Sequence, residues 1–267
     1  MSGSAALLVD GLTVIYGTRP VVRALALPPI SAGTVTVLVG PNGAGKSTVL
    51  KALARIVPSS GTVKFGGNDL RLLSSRDRAR TIGFMPQTVP PAAELTVIES
   101  VIVSLQAGQE SIDVEKRAVA VLRRVGIAEL ALRPLDRLSG GERQLVGLAQ
   151  TIALSPPLLF LDEPTSALDL ARQYDVMRLV RSFAAEGAAV VMVMHDLTLA
   201  AHWADSVIVL DDGRLHSAGT PSEAITACML RQVYGASASV ETIGGRLFVV
   251  PSDPSVSANA NGRKKQP

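Results

Sequence analysis

The fold of this chain is decided by nine consecutive residues, Gly40-Pro41-Asn42-Gly43-Ala44-Gly45-Lys46-Ser47-Thr48. They follow the apolar, β-branched run Val35–Val39, which predicts a strand, and they precede the helical pattern Val49–Ile56. The glycines let backbone amides point into one hollow, where the amides and the positive end of the helix attract phosphate oxygens. Lys46 adds a full positive charge for the outer phosphates, and the Ser47 hydroxyl suits Mg²⁺. The order strand, glycine loop, helix therefore predicts a phosphate-binding loop rather than a turn that only links two elements.

The composition allows one large domain or two modest ones with a sizeable core. The chain has 267 residues, of which 47% are hydrophobic and 3% aromatic, so its core would be built from Leu, Val, Ala and Ile. The net charge is +3, and no dense Lys/Arg stripe carries interleaved aromatic residues, so nucleic acid is not an expected partner. The single cysteine, Cys228, cannot form an internal disulfide, which favours a reducing compartment.

The sequence predicts neither a signal peptide nor a membrane span. The N-terminal residues Met1–Ala6 carry no basic residue ahead of an apolar core. Apolar runs such as Ala188–Met194 fall far short of the roughly 20 residues that a span needs. A role at a membrane would therefore depend on a partner.

Strands and helices alternate in the first part of the chain. Strands are predicted over Leu7–Ile15 with an interruption at Gly11, Leu25–Leu27, Val35–Val39, Gly61–Gly67 and Ile82–Met85, with a short basic helix over Ser74–Arg80. No strand signal lies between Pro90 and Ser155, where Thr96–Gln106 and Asp113–Val125 have helical periodicity. We interpret about 90–155 as an all-helical insert.

The alternation resumes after the insert. The predicted elements are a strand over Leu158–Leu161, a helix over Ala171–Glu186, a strand over Ala188–Met194, a helix over Leu197–Ala204, a hairpin over Val207–Ser217 with an Asp212-Gly213 turn, helices over Ser222–Thr226 and Met229–Tyr234, and a hairpin over Val240–Val250 across Gly244-Gly245. We predict one α/β domain over 1–251. Residues 252–267, which are rich in Ser, Asn and Pro, predict a disordered tail.

Two carboxylates follow the apolar run Leu158–Leu161. Asp162 would lie at the carboxyl end of a central strand, where ligands of open α/β sheets bind, and could hold Mg²⁺ through water beside Ser47. Glu163 would not bind the metal directly and would be free to polarise the attacking water. The alternative is a surface acidic pair that caps a strand, but the preceding phosphate loop favours the catalytic interpretation.

A second informative stretch is Leu138-Ser139-Gly140-Gly141-Glu142, called here the signature stretch. Ser139 and Glu142 have the spacing of a capping box, so a plain helix start explains them locally. The two glycines cost a first helical turn roughly 1 kcal/mol each relative to alanine. They are explained if an anion must approach the backbone at the helix N-terminus. Since the chain already has its own phosphate loop, we expect that anion to be a nucleotide held by another subunit.

These motifs occur in an order that resembles ABC transporter ATPase subunits. The resemblance covers about residues 7–250, and it rests on Gly40–Thr48, Gln87, Leu138–Gln144, Leu158–Pro164, Ser166-Ala167-Leu168-Asp169 and His195. It implies a P-loop NTPase core with a mostly parallel sheet, an N-terminal antiparallel β subdomain and the all-helical insert. It also implies ATP and Mg²⁺ as ligands and ATP hydrolysis coupled to transport.

The resemblance also implies roles for single residues. Gly40–Thr48 would bind the nucleotide, Tyr16 would stack on adenine, and Gln87 would touch Mg²⁺ and sense the membrane partner. Ser139, Gly140 and Gly141 would bind the γ-phosphate held by the opposite subunit, and Asp169 would lie at the dimer interface. His195 would contact the γ-phosphate. Taken alone, Tyr16, Gln87 and His195 can be explained as packing, loop and strand-end residues. Together with the phosphate loop, the signature stretch and Asp162-Glu163, the functional roles are favoured for all three.

The C-terminal part narrows the expected substrate. The segments His195–Ala201, Gly219–Pro221, Tyr234-Gly235 and Arg246–Pro251 resemble importers of iron-siderophores, haem and vitamin B12. This implies a peripheral subunit at the cytoplasmic face of the cell membrane, which would form a homodimer, bind permease subunits and serve a substrate-binding protein indirectly. The alternatives are another importer substrate such as a metal ion, a soluble ABC ATPase without a transport role, and a P-loop kinase, which the signature stretch and Gln87 disfavour.

Overall fold

The computed structural model describes residues 5–88, 95–108 and 113–251, within which the chain forms twelve strands and nine α-helices. In chain order these are β1 Ala6–Tyr16, β2 Arg19–Ser31, β3 Val35–Val39, α1 Lys46–Leu53, β4 Ser60–Phe65, β5 Asn68–Asp69, α2 Ser75–Thr81, β6 Ile82–Met85, α3 Val97–Gln106, α4 Val114–Val125, α5 Gly140–Ile152, β7 Leu158–Asp162, α6 Leu170–Ala185, β8 Ala189–Val193, α7 Leu197–Trp203, β9 Ser206–Asp211, β10 Arg214–Gly219, α8 Pro221–Ala224, α9 Ala227–Tyr234, β11 Ala238–Ile243 and β12 Arg246–Pro251. The predicted tail at 252–267 lies outside the described residues.

The central sheet has six strands in the order β10-β9-β3-β8-β7-β6. Five of them run parallel, and β10 pairs antiparallel with β9 at one edge. Every residue of β3, β7 and β8 is buried, as their continuous apolar sequences predict for strands covered on both faces. Because parallel strands end at the same edge of a sheet, the segments that follow β3, β8 and β7 lie side by side.

A second sheet, in the order β2-β1-β4-β5, is antiparallel and confirms the predicted N-terminal β subdomain. Gly11 interrupts β1 as predicted: its φ is +62°, and the pairing of β1 with both neighbours shifts register around it. Leu7 and Val14 of this sheet share one buried cluster with Leu50 of α1 and Phe160 of β7. The helix that follows the phosphate loop is therefore packed against strands of both sheets.

Strand β2 is much longer than the predicted Leu25–Leu27. It runs over Arg19–Ser31 and contains Pro20, Pro28 and Pro29, which in the sequence argue against a strand. It is an edge strand, and its outward backbone positions need no N–H donor, so proline is tolerated there.

Helix α1 begins and ends three residues earlier than the predicted Val49–Ile56. It begins at Lys46 because Gly45, with a φ of +93°, turns the chain directly from the loop into the helix. It ends after Leu53 because Arg55 adopts a φ of +60°, which is incompatible with a right-handed helix.

The insert is helical where the structure describes it. Residues 95–108 and 113–154 contain α3, α4 and α5, and their only strand-like feature is a single bridge between Thr96 and Pro134. Helix α3 begins with a capping box between Thr96 and Glu99. The apolar faces of the three helices join the buried cluster under the central sheet, with Leu105, Leu122 and Val146 each at most 1% exposed.

The turn between β9 and β10 supports the phosphate loop. Gly213 donates its N–H to Ala44 O at 3.1 Å, and its carbonyl accepts the N–H of Arg23 at 3.0 Å. Its φ is +73°, and a Cβ at this position would lie 2.1 Å from Val21 O. Gly213 thus needs to be glycine for two independent reasons, its backbone conformation and its close approach to β2.

We expect Gly213→Ala to lower the free energy of unfolding by about 2–4 kcal/mol, since left-handed strain of roughly 1–2 kcal/mol adds to overpacking of similar size. The matched control is Gly245→Ala, in the other predicted hairpin turn, where φ is +76° and a Cβ would meet nothing within 4 Å. In Gly245→Ala the free energy of unfolding should fall only by the amount of the left-handed strain. Urea unfolding of both variants measures the difference, and equal losses would contradict the close-approach argument.

Candidate nucleotide site

A cavity of about 580 Å³ opens at the carboxyl edge of the central sheet. It lies where β3, β8 and β7 end together, with Val193 of β8 opposite both Leu38 of β3 and Asp162 of β7. Its lining residues are Val21, Asn42, Gly43, Gly45, Lys46, Ser47, Thr48, Gln87, Glu163 and His195. The fold thus brings Gln87, Glu163 and His195 together with residues of the phosphate loop.

The phosphate loop has the conformation that its glycines predict. Gly40, Gly43 and Gly45 have φ values of +150°, +83° and +93°. A Cβ at Gly40 would lie 2.2 Å from Leu210 O, so this glycine is also required by the neighbouring strand. Gly45 is the N-cap of α1 and offers no side chain, and the first amides of a helix have no acceptor within it. They are therefore available to an anion in the cavity.

Lys46 is almost completely buried, at 6% exposure, beneath the loop that it follows. Its Nζ donates hydrogen bonds to Gly40 O at 2.8 Å and Pro41 O at 2.9 Å. Burial lowers the pKa of the ammonium from its usual value, while the negative charges of Glu163 and Asp162 oppose that shift. Because an ammonium has three donors, Lys46 can hold the loop closed and still bind a phosphate oxygen.

Asp162 is buried at the end of β7, and its Oδ1 accepts a hydrogen bond of 2.9 Å from Ser47 Oγ. Its Oδ2 is buried and accepts no hydrogen bond from any group that the structure describes. Burial raises the pKa of this carboxyl group above its ordinary value, and the hydrogen bond from Ser47 opposes the shift. A buried carboxylate oxygen without a partner is costly, and a hard cation that prefers oxygen ligands would relieve that cost. The pair therefore fits Mg²⁺.

Glu163 and His195 form a direct contact that the sequence did not indicate. His195 Nε2 lies 2.6 Å from Glu163 Oε1, although the two residues are 32 positions apart. Glu163 itself has a φ of +53°, an uncommon conformation for a residue other than glycine. Its backbone N–H donates to Val193 O at 3.2 Å, which ties it to β8 beside the start of the His195 segment.

Two further predicted residues differ in their placement. Gln87, which follows β6, lines the cavity as expected. Tyr16 ends β1, is 47% exposed and is not among the lining residues. Val21 of β2 contributes the apolar part of the wall instead. The stacking of Tyr16 on adenine stays a prediction.

The signature stretch lies on a different cavity, of about 490 Å³. This cavity is lined by Ser139, Gly140, Gly141 and Asp169, and it shares no lining residue with the cavity at the phosphate loop. Within the described part of one chain, the residues assigned to the γ-phosphate of a neighbouring subunit therefore do not line the chain's own phosphate cavity.

The capping box in the signature stretch is formed as predicted. Ser139 Oγ accepts the N–H of Glu142 at 3.2 Å, and Glu142 Oε2 accepts the N–H of Ser139 at 2.8 Å. The explanation of the two glycines needs correction, however. A Cβ at Gly141 would lie 3.0 Å from Ala167 O, so packing within the chain already disfavours a larger residue there. At Gly140 the nearest atom would be Ala167 Cβ at 4.0 Å, an ordinary van der Waals distance, so a Cβ is crowded only at Gly141.

Two residues near the site were missed as functional candidates. For Gln144 the available signal is its position among apolar residues of α5, because a buried amide requires hydrogen-bond partners. Tyr234 of α9 lies beside the first glycine of the loop: burial raises the pKa of its hydroxyl to about 12, and a hydrogen bond from the Gly40 backbone opposes the shift. No local pattern links residues so far apart.

Comparison with known proteins agrees with this geometry. A profile of the ABC transporter family matches residues 29–166. The chain is 42% identical to the hemin import ATP-binding protein HmuV of Streptomyces coelicolor over 93% of this chain and 91% of the relative. It belongs to the ABC transporter family. The chain is also 38% identical to the iron(3+)-hydroxamate import ATP-binding protein FhuC of Bacillus subtilis, over 88% of this chain and 90% of that protein.

A third relative is the cobalamin import ATP-binding protein BtuD of Halobacterium salinarum, which is 39% identical over 95% of this chain and 65% of its own length. Among solved structures, an inward-facing metal-chelate type ABC transporter matches with a TM-score of 0.78 and 25% identity over 94% of this chain and 99% of its own. A dimeric ATP-binding cassette bound to ADP and Pi matches with a TM-score of 0.74 and 26% identity, over 80% of this chain and 98% of its own.

The ABC family assignment confirms the predicted fold class and the prediction of an ATP-hydrolysing, nucleotide-binding subunit. The part of this ABC ATPase that the structure describes includes no helix with both the length and the apolar character that membrane crossing requires.

We expect Lys46→Ala to lower ATP affinity about 10- to 100-fold, because hydrogen bonds to a charged group contribute roughly 1.5–3 kcal/mol. Titration with a fluorescent nucleotide measures the affinity, and circular dichroism and thermal unfolding test whether the fold is retained. Lys64→Ala, on an exposed position of β4, is the matched control and should bind ATP normally. Parental affinity in a folded Lys46→Ala variant would disprove the assignment of the phosphate loop.

Proposed function

We propose that this ABC ATPase hydrolyses ATP in a closed homodimer and thereby drives uptake of an iron chelate, either a siderophore or haem, or of vitamin B12. The observation that carries the proposal is the division of the assigned residues between two cavities of one chain. Such an arrangement is completed when two copies face each other, since each supplies what the other lacks. The substrate class is supported by the relatives, which are named for hemin, iron-hydroxamate and cobalamin import.

In each composite site, Gly40–Thr48 of one subunit would bind the phosphates, with Lys46 on the outer ones. Tyr16 would stack on adenine. Ser139, Gly140 and Gly141 of the other subunit would close on the γ-phosphate through the N-terminus of α5, where backbone amides attract anions. The supporting observation is that a Cβ at Gly140 would meet no atom closer than 4.0 Å.

Mg²⁺ would be held by Ser47, by Asp162 through water, and by Gln87. Ser47 and Asp162 are already hydrogen-bonded to each other, and the second oxygen of Asp162 lacks a partner among the described groups. When bound, the ion would offset the negative charge of the phosphate oxygens.

Glu163 would act as the general base. The oxygen of the attacking water bonds to the γ-phosphorus while the water gives a proton to the Glu163 carboxylate. The bond between the γ-phosphorus and the leaving ADP oxygen breaks. We assign His195 to the γ-phosphate, and its 2.6 Å contact with Glu163 Oε1 allows it to orient the carboxylate as well. Lys46 contributes charge stabilisation during this step.

The subunit would work at the cytoplasmic face of the cell membrane as a peripheral protein, bound to permease subunits that carry the substrate path and meet a substrate-binding protein on the other side. Residues 1–251 would act as one ATPase domain. The competing interpretations are an importer ATPase for another substrate, such as a metal ion, and a soluble ABC ATPase without a transport role. Co-purification of a polytopic membrane protein with the full chain would exclude the second of these.

We expect Glu163→Gln to bind ATP normally but to hydrolyse it at least about 10²-fold more slowly, the usual effect of losing a general base. Because ATP would persist, this variant should accumulate as an ATP-dependent dimer that light scattering detects. The control is Glu241→Gln, an exposed carboxylate on β11 that lines neither the phosphate cavity nor the signature cavity. Hydrolysis by Glu163→Gln at the parental rate would remove Glu163 from the role of base.

Deletion of the gene should lower uptake of labelled iron-siderophore, haem or vitamin B12 in cells of the source organism. Restoration by the wild-type gene but not by the Glu163→Gln gene would link uptake to ATP hydrolysis. Unchanged uptake of all three, in cells without a redundant system, would contradict the proposed substrate class and favour another importer substrate.

A further inference from the structure

Gln144 is a buried polar residue on α5 whose side chain is bonded at both ends. It is 5% exposed. Its Nε2 donates to Glu163 O at 2.7 Å and to Ser166 Oγ at 3.3 Å, and its Oε1 accepts the N–H of Ala167 at 3.0 Å. The amide therefore links α5 to Glu163, which directly follows β7, and to Ala167, four residues later.

The contact with Glu163 supports a strained backbone. A residue other than glycine persists in the left-handed region only where its surroundings fix it, and Glu163 has a φ of +53°. Its N–H is fixed by Val193 O, and its carbonyl accepts bonds from Gln144 and, within its own loop, from the N–H of Ser166 at 3.3 Å and the Ser166 hydroxyl at 3.2 Å. Gln144 supplies the carbonyl contact that comes from the helical insert.

Helix α5 touches the same loop at a second point, closer to its N-terminus. A Cβ at Gly141 would lie 3.0 Å from Ala167 O and 3.3 Å from Leu168 Cδ2, so the helix packs tightly there. Gly141 and Gln144 lie one helical turn apart and face the same loop. A displacement of α5 must therefore move the loop with it or break the hydrogen bonds of Gln144.

We propose that Gln144 is a positioning residue that transmits the state of the signature stretch to the Glu163 carboxylate of the same subunit. In the dimer proposed above, the signature stretch contacts the nucleotide of the partner, whereas Glu163 acts on the nucleotide of its own subunit. Gln144 thus couples the two composite sites, so that closure at one aligns the base at the other. This inference rests on the proposed function, because it requires both roles.

The test compares two glutamines that hold the same loop. Gln144→Met keeps the length and most of the volume of the side chain but removes all of its hydrogen bonds. Gln173→Met is the matched control: Gln173 Nε2 donates to Thr165 O at 3.3 Å and to Leu168 O at 3.1 Å, and none of its hydrogen bonds reaches Glu163 or Ala167. Steady-state ATPase rates over a range of ATP concentrations, ATP-driven dimerisation and thermal unfolding are measured on the full chain.

We expect Gln144→Met to lower kcat about 10- to 100-fold, as misplacement of a catalytic group does, with KM changed by less than about 2-fold. The ATP-driven dimer should still form, and the Hill coefficient for ATP should fall towards one. Gln173→Met should keep kcat and the Hill coefficient even if its melting temperature falls by a similar amount. A purely structural role of Gln144 would move the melting temperature without this separation of kcat from KM.

If Gln144→Met does not fold, Gln144→Leu decides the question, because it also removes the donor to Glu163 O and the acceptor of the Ala167 N–H without burying a charge. Parental kcat in whichever variant folds, or an equal loss of kcat in Gln173→Met, would overturn the inference. These outcomes leave the proposed function intact as long as Glu163→Gln is inactive. If Glu163→Gln hydrolyses ATP normally, the proposed function itself fails.

Discussion

The adjacency of β3, β8 and β7 in a parallel sheet is the constraint on which the site depends. It places the ends of three sequence-distant strands at one edge, so that the phosphate loop, the Glu163 backbone and His195 meet there. Each strand is buried along its whole length, which fixes its position in the core. The position of the catalytic and binding groups therefore rests on apolar packing beneath the site.

The polar groups at this edge are arranged around charges that are costly to bury. The Lys46 ammonium uses two carbonyls of its own loop, and Asp162 uses the Ser47 hydroxyl. Both groups have pKa values shifted by burial towards the neutral form, and each keeps hydrogen-bonding capacity that its partners in the described chain do not use. A ligand that carries negative phosphates and a cation offsets both costs at once, which gives the nucleotide-binding assignment a physical basis.

The helical insert joins this edge through one helix. Helix α5 begins at the signature cavity and, one turn later, holds the backbone of Glu163 through Gln144. The two cavities of one chain are thus mechanically connected although they share no lining residue. A protein built in this way can respond in one cavity to what is bound in the other, and this is the property that a dimer with two composite sites requires.

The sequence alone determined the phosphate loop, the buried strands and the capped start of α5, because each depends on residues close together in the chain. It also indicated the family, because the order of such local motifs along the chain is a property of the sequence. It underestimated β2, because prolines are acceptable only at a sheet edge and the edge is a property of the sheet. The contact between Glu163 and His195, the supports that Gln144 and Tyr234 give to the site, and the internal reason for Gly141 were decided by tertiary structure alone. They join residues from separate elements, and strand order and helix packing, rather than local spacing, set the distances between them.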